Sequence, residues 1–147
     1  MNAVLQPVQE VENVFTRMGR LLDLKIHSEV DALRIVTQGI SSRTYQRVAA
    51  RLGWPANLVA PESTVRRRIL QNSRFSEAES ERVVRLARVF AEAEELFGDE
   101  QAALNWFKTP AEYLHGQAPL TPMALAATDA GARLVESHIR RTAYGFL

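Results

Sequence analysis

The 147-residue sequence contains no cysteine, and this absence removes several classes of protein from consideration. Without thiols the chain can form no disulfide framework, no cysteine-ligated zinc site and no thiol nucleophile. Its apolar runs all fall well short of the ~20 residues that a membrane-spanning helix needs. The N-terminus lacks the basic start and the apolar block of a signal peptide. We therefore expect a cytoplasmic protein that does not bind a membrane.

Recognisable catalytic motifs are also missing. The three histidines, His27, His115 and His138, stand far apart in the sequence. There is no metal-binding histidine pair, no glycine-rich phosphate loop and no nucleophile elbow. We therefore predict no catalytic residues, no metal site, no cofactor and no enzymatic activity.

Lysine is scarce, since only Lys25 and Lys108 accompany sixteen arginines. The planar guanidinium of arginine suits phosphate groups and base edges better than an ammonium does. The formal net charge of +1 conceals an uneven distribution: residues 1–74 carry eleven cations and six anions, a net +5, whereas residues 75–147 carry a net −4. A basic front half beside an acidic back half suggests two tasks, one of which involves a polyanion.

Helical periodicity runs through nearly the whole chain, and this predicts an all-α fold. Apolar residues make up 46% and charged residues 24%, which is typical of globular proteins. In the second predicted helix the apolar stripe consists of Val30, Leu33 and either Ile35 or Val36. The predicted helical segments are 8–22, 28–38, 43–52, one or two turns within 54–60, a helix opened by Pro61, 76–97, 99–107, a short one from 121, and 128–142.

The segment PESTVRRRIL, residues 61–70, predicts the reading helix of a helix-turn-helix motif. Val65 and Ile69 sit four residues apart and should face the core, so the polar side chains point outward. Small polar residues followed by arginines suit a major groove, and a short preceding helix would complete the motif. A solvated basic helix without a ligand is the alternative. The predicted DNA-binding residues are Ser63, Thr64, Arg66, Arg67, Arg68 and Gln71.

The long helix predicted between Ser76 and Gly98 carries many charges. Glu94 falls near the apolar face of this helix, so it needs a buried partner. The other charges are interpreted as solvated or as surface ion pairs at i, i+4 spacing. They are Glu92 and Glu95, and the pairs Glu81 with Arg85 and Arg88 with Glu92.

The last predicted helix begins with the small residues Ala130, Gly131 and Ala132, which allow another helix or a partner to approach closely. It is followed by AYGFL, which leaves aromatic side chains at a free end, where polar residues are usual. These side chains either fold back onto the domain or dock into a partner.

The second half of the chain resembles the MbcA/ParS/Xre antitoxin family. The resemblance rests on a glutamate-rich helix ending in Phe-Gly-Asp, two Thr-Pro pairs, a Thr-x-x-Gly-Ala-x-x-Val-Glu run and a terminal Tyr-Gly. It covers Phe97, Gly98, Asp99, Ala103, Trp106, Thr109, Pro110, Thr121, Pro122, Thr128, Gly131, Ala132, Val135, Glu136, Tyr144 and Gly145. The front half resembles, less closely, the Xre-type helix-turn-helix domain of that family. Compared with the family pattern, the segment 54–61 is about one turn shorter and the segment 111–120 is longer.

The resemblance implies a type II antitoxin with a DNA-binding and dimerising domain at 1–75 and a toxin-binding domain at 76–147. The implied partner is a RES-domain toxin that consumes NAD, whose active site the C-terminal region would cover. The resemblance also implies repression of the protein's own operon and a homodimer or larger assembly. A stand-alone helix-turn-helix regulator is the alternative. The implied toxin-binding residues are Trp106, Arg133, Glu136, Arg140, Arg141, Tyr144, Gly145, Phe146 and Leu147.

Overall fold

A computed structural model describes residues 12–145, and it confirms the all-α fold. Within this range the chain forms eight helices, and the only β-type pairing is one isolated bridge between Ala111 and Leu120. The helices are α1 (Val14–Leu22), α2 (Glu29–Gln38), α3 (Ser42–Leu52), α4 (Glu62–Leu70), α5 (Glu77–Phe97), α6 (Glu100–Phe107), α7 (Pro122–Ala126) and α8 (Asp129–Ala143). None of these helices combines the length and apolarity needed to cross a bilayer.

Capping side chains fix where the helices begin. All described helices except α4 start after a residue whose side chain accepts a hydrogen bond from a free backbone N–H of the first turn. These residues are Asn13, Ser28, Ser41, Ser76, Asp99, Thr121 and Thr128. At Ser76 the cap is reciprocal, because the side chain of Glu79 in turn accepts from the Ser76 N–H and completes a capping box. Pro61 lies at the N-cap of α4 and makes no side-chain cap.

Helix α5 lies at the centre of the fold. It packs against α1 and α2 from the front of the chain and against α6, α7 and α8 from the back. Its residues Val83, Leu86, Val89 and Phe90 are fully buried, within one core cluster that also contains Met18. Burying each such side chain contributes about 1.5–3 kcal/mol. A single core therefore runs across the predicted domain boundary at residues 75 and 76, and that boundary remains a prediction.

Buried charges on α5 contact other elements. The predicted buried partner of Glu94 is confirmed: Arg17 Nη1 lies 3.0 Å from its Oε1, and Arg20 contacts the same oxygen. The interpretation of Arg85 as a surface residue is wrong, since it is only 7% exposed and donates to the Ala127 carbonyl at 2.8 Å as well as to Glu81. Arg85 therefore has a second partner, the Ala127 carbonyl, besides its i, i+4 neighbour Glu81.

The predicted apolar stripe of α2 is wrong in its first half. Val30 and Leu33 are 72% and 63% exposed, whereas both Ile35 and Val36 are buried. The chain turns at Gly39 directly against the Phe75 carbonyl, so only the C-terminal part of α2 reaches the core. Val8 and Val11, which were predicted to extend the first helix, lie outside the described residues.

The helical turns predicted within 54–60 are also wrong. This segment forms a turn closed by the Leu58 N–H and the Pro55 carbonyl at 3.2 Å, followed by bends. Trp54 and Val59 are both buried, so the segment packs onto the core near both ends as a turn followed by bends. The helix expected to precede α4 in a helix-turn-helix motif is therefore absent from this part of the chain.

The predicted close approach at the start of α8 is confirmed at Gly131. A Cβ atom there would lie 1.9 Å from the Leu125 carbonyl oxygen, which belongs to the backbone of α7. We expect Gly131→Ala to lower stability by about 1–3 kcal/mol, because α7 and α8 would have to separate.

Thermal unfolding followed by circular dichroism measures this effect, with a drop of about 2–9 °C in the midpoint expected for a chain of this size. Ala130→Ser, at an exposed position of the same helix, is the matched control and should unfold close to the wild-type midpoint. Equal midpoints for the two variants would contradict the close contact.

Candidate functional site

An open groove lies between the last turns of α5 and α8. Its volume is about 450 Å³. The walls combine apolar side chains with three charged ones, and the groove opens beside the point where α8 ends at Ala143. The lining residues are Glu92, Glu95, Leu96, Ile139, Arg140, Ala143 and Tyr144. Such a mixture suits a protein ligand that brings both apolar and charged groups.

Two glutamates interact beneath the groove. Burial, together with the neighbouring carboxylate of Glu136, raises the pKa of Glu92 to about 7. Arg88 and Arg140 oppose this rise only in part. The predicted pairing of Arg88 with Glu92 is wrong in its partner, because the guanidinium of Arg88 lies 3.3 Å from Glu136 Oε1. The groove therefore contains a carboxyl group that keeps its proton to a higher pH than an ordinary glutamate does.

The structure brings some of the predicted toxin-binding residues together at this groove. Arg140 and Tyr144 line the groove. Glu136 lies beside Glu92 of the groove and pairs with Arg88. Arg141 and Gly145 are exposed close by in sequence, and Gly145 has a φ of 75° that turns the chain after α8. Phe146 and Leu147 lie outside the described residues, so their predicted role stays a prediction.

Two predicted residues are placed elsewhere. Arg133 is exposed near the start of α8 and pairs with Asp129 at 3.1 Å. Trp106 is half-buried and packs against Phe97 and Phe107, with ring centroids 5.7 and 6.3 Å apart. Their predicted contacts with a partner remain untested by this arrangement.

Sequence reasoning missed five lining residues: Glu92, Glu95, Leu96, Ile139 and Ala143. The sequence did contain a signal for them. The groove residues of α5, and likewise those of α8, recur at three- or four-residue spacing and therefore share one face of their helix. The pairing of the two faces depends on how α5 crosses α8, and that crossing cannot be read from either segment alone.

The basic helix α4 presents a second candidate surface. Four predicted DNA-binding residues surround the 79% exposed side chain of Leu70 in an open depression of about 260 Å³. They are Ser63, Arg66, Arg67 and Gln71, while Thr64 is half-buried. Arg66 pairs with Glu62 at 3.1 Å. Arg67 is exposed, and no ion-pair partner occurs for it among residues 12–145.

Arg68 does not point outward as predicted. It is partly buried, and its Nε donates to Glu79 Oε1 at 3.1 Å. Burial opposes the ionisation of Glu79, but hydrogen bonds from Ser76 and the charge of Arg68 outweigh it and lower the pKa of this carboxyl. Arg68 therefore attaches α4 to the first turn of α5.

The segment that contains the groove residues is similar to a known protein family. Residues 92–145 match the family model described as the antitoxin Xre/MbcA/ParS C-terminal toxin-binding domain. A protein named antitoxin Xre from Pseudomonas putida KT2440 is 28% identical over 88% of this chain and 82% of its own length. Antitoxin Xre proteins from Yersinia enterocolitica and Photorhabdus laumondii are 36% and 34% identical. Those two alignments cover 58% and 55% of this chain and 56% and 53% of the relatives.

The raised pKa of Glu92 predicts a pH-dependent stability. The folded protein holds this proton more tightly than the unfolded chain, whose glutamate has the ordinary value of 4.5. The free energy of unfolding therefore falls as the pH rises from about 4.5 to about 7, and the loss persists above that range. We expect Glu92→Gln to remove the loss, so the variant should gain stability relative to wild type at pH 8 but not at pH 4.5.

Urea unfolding at both pH values measures the difference. Glu112→Gln, at an exposed position outside the groove, is the control and should show the same difference from wild type at both pH values. A stability difference between Glu92→Gln and wild type that does not change with pH would contradict the assignment.

Proposed function

We propose that the chain is an antitoxin of the Xre type and that it neutralises its partner toxin by docking the C-terminal end of α8 into the toxin. A toxin partner is supported by the matched family model, which is described as a toxin-binding domain, and by the relatives that are named antitoxin Xre. We propose a binding surface on α8, a type of toxin and an additional contact with DNA.

The observation that carries the proposal is the exposed end of α8. Tyr144 is 75% exposed and adjoins the groove, and Arg140 and Arg141 are exposed on the turn before it. Tyrosine and arginine contribute disproportionately to the energy of protein interfaces, since they combine large contact areas with hydrogen-bonding groups. A solvated helix end gains nothing from such residues, whereas a docked one does.

We propose that the toxin is of the RES type and that α8 covers its NAD-binding active site. The guanidinium groups of Arg140 and Arg141 can donate bidentate hydrogen bonds to carboxylates of the toxin at the entrance of its NAD pocket, and the docked helix end then blocks access to it. Phe146 and Leu147, which follow in the sequence, would add apolar contact. This mode of inhibition needs no conformational change in the toxin.

Helix α4 supports a proposed second role in DNA binding and repression of the protein's own operon. The front half carries a net charge of +5, and Arg66 and Arg67 are exposed beside Ser63 and Gln71. Because the segment before α4 is a turn, the proposed contact rests on α4 alone and not on a complete helix-turn-helix. A homodimer would present two such helices to two half-sites and so compensate for the limited contact of each.

We expect Tyr144→Ala to weaken toxin binding by about 10–100-fold, which is the range for a central aromatic contact. Titration calorimetry with the purified toxin measures it. Glu77→Gln, at the opposite end of α5, is the control and should bind as wild type does. Wild-type affinity in Tyr144→Ala would place the interface elsewhere.

We expect Arg66→Ala with Arg67→Ala to weaken binding to operator DNA. The slope of log affinity against log salt should fall by about 2, because each lost phosphate contact lowers it by about 1. Arg43→Ala, an exposed arginine on α3, is the control for a simple change in net charge. A salt slope equal to that of wild type would reject the role of α4.

A further inference from the structure

A carboxylate from the edge of the groove is buried against the first helix. The side chain of Glu94 is only 6% exposed, although it belongs to the same turn of α5 as Glu92, Glu95 and Leu96. Its Oε1 accepts from Arg17 Nη1 at 3.0 Å and contacts Arg20. The two arginines precede Glu94 by 77 and 74 residues.

These two arginines are the cations that compensate the charge of Glu94. Its Oε2 makes no hydrogen bond with the part of the chain that the structure describes. Removing one member of a buried ion pair leaves an uncompensated charge, which is far more costly than losing a surface pair. Arg17 is the more buried of the two, at 18% exposure against 47% for Arg20, so water can replace Arg20 more easily.

Loss of Arg17 would disturb the end of α5. The Glu94 carbonyl accepts the capping N–H of Gly98 at 2.8 Å, so Glu94 also closes the last turn of the helix. A carboxylate left with only the half-exposed Arg20 as its partner can regain water if this turn opens. Opening it would displace the groove wall formed by Glu92, Glu95 and Leu96.

We propose that Arg17 is a positioning residue for toxin binding, acting through Glu94, and that α1 is therefore part of the toxin-binding unit. The inference rests on the proposed toxin-binding groove, but it concerns a residue far outside the matched segment 92–145. Among residues 12–145, the ion-pair partners of Arg17 are Glu94 and Glu12, and neither lines the groove. It acts by holding the turn that supplies one wall.

The test uses the full chain and the purified partner toxin. Arg17→Gln should weaken toxin affinity by about tenfold, because the buried charge of Glu94 loses its main partner. Adding Glu94→Gln should restore the affinity to within about threefold of wild type, because a neutral amide no longer needs a cation. Arg47→Gln, which removes the exposed pair of Arg47 with Asp23, is the matched control and should bind as wild type does.

Hydrogen exchange separates this inference from the proposed function. Without any toxin, Arg17→Gln should speed exchange of the amides at the end of α5, from Glu94 to Gly98, and leave Leu86 and Val89 unchanged. If wild type fails to bind the toxin, the proposed function fails while exchange still tests the coupling. If Arg17→Gln does not fold, Arg20→Gln replaces it, with a smaller effect of the same sign.

Unchanged exchange at the end of α5 would overturn the inference. So would wild-type affinity in the folded single variant, or a double variant with Glu94→Gln that binds no better than the single one.

Discussion

The fold depends on satisfying the charges that α5 buries. Glu79, Arg85 and Glu94 are each less than a tenth exposed, on a helix whose other buried positions are apolar except for Ser80. Each of them contacts another element: Glu79 meets Arg68 of α4, Arg85 meets the Ala127 carbonyl after α7, and Glu94 meets α1. Because an unpaired charge in the core is costly, each of these contacts fixes where a neighbour can sit.

This arrangement explains why the arginines of α4 divide into two groups. Arg68 is committed to Glu79 and keeps α4 against the first turn of α5. Arg66 and Arg67 remain exposed, on a face that includes Leu70. One charged helix thus serves both as a structural attachment and as an accessible basic surface. An experiment on its function should therefore avoid Arg68, since its removal would disturb α5 as well.

Local signals in the sequence predicted most of the helices. Serine, threonine and aspartate caps with glycine stops determine helix ends through backbone hydrogen bonds between near neighbours. The need of Glu94 for a buried partner was also predictable, because helical geometry places it on the apolar side. The identity of the partner was not, since α1 lies more than seventy residues away. For the same reason the partner of Arg88 was wrong: Glu92 is near in sequence, but Glu136 is near in space.

The errors at 54–60 and in α2 share a physical cause. In both places the tertiary contacts of a few residues overrule the local pattern. Trp54 and Val59 pack segment 54–60 into the core. Helix α2 turns at Gly39 against the Phe75 carbonyl, and Val30 and Leu33 remain exposed. At the candidate site, several positions of the family signature, such as Glu136 and Tyr144, lie at or beside the groove. The groove itself required knowing how two helices cross.

The missing side chain at Gly131 has a consequence for how a partner meets this protein. With the backbone of α7 in direct contact there, the corner between α7 and α8 has no room to change its angle. Helix α8 therefore keeps one direction where it meets α7. If its exposed end docks as proposed, recognition depends on whether the cavity of a toxin matches that direction, and toxins with a different cavity geometry would be excluded by shape.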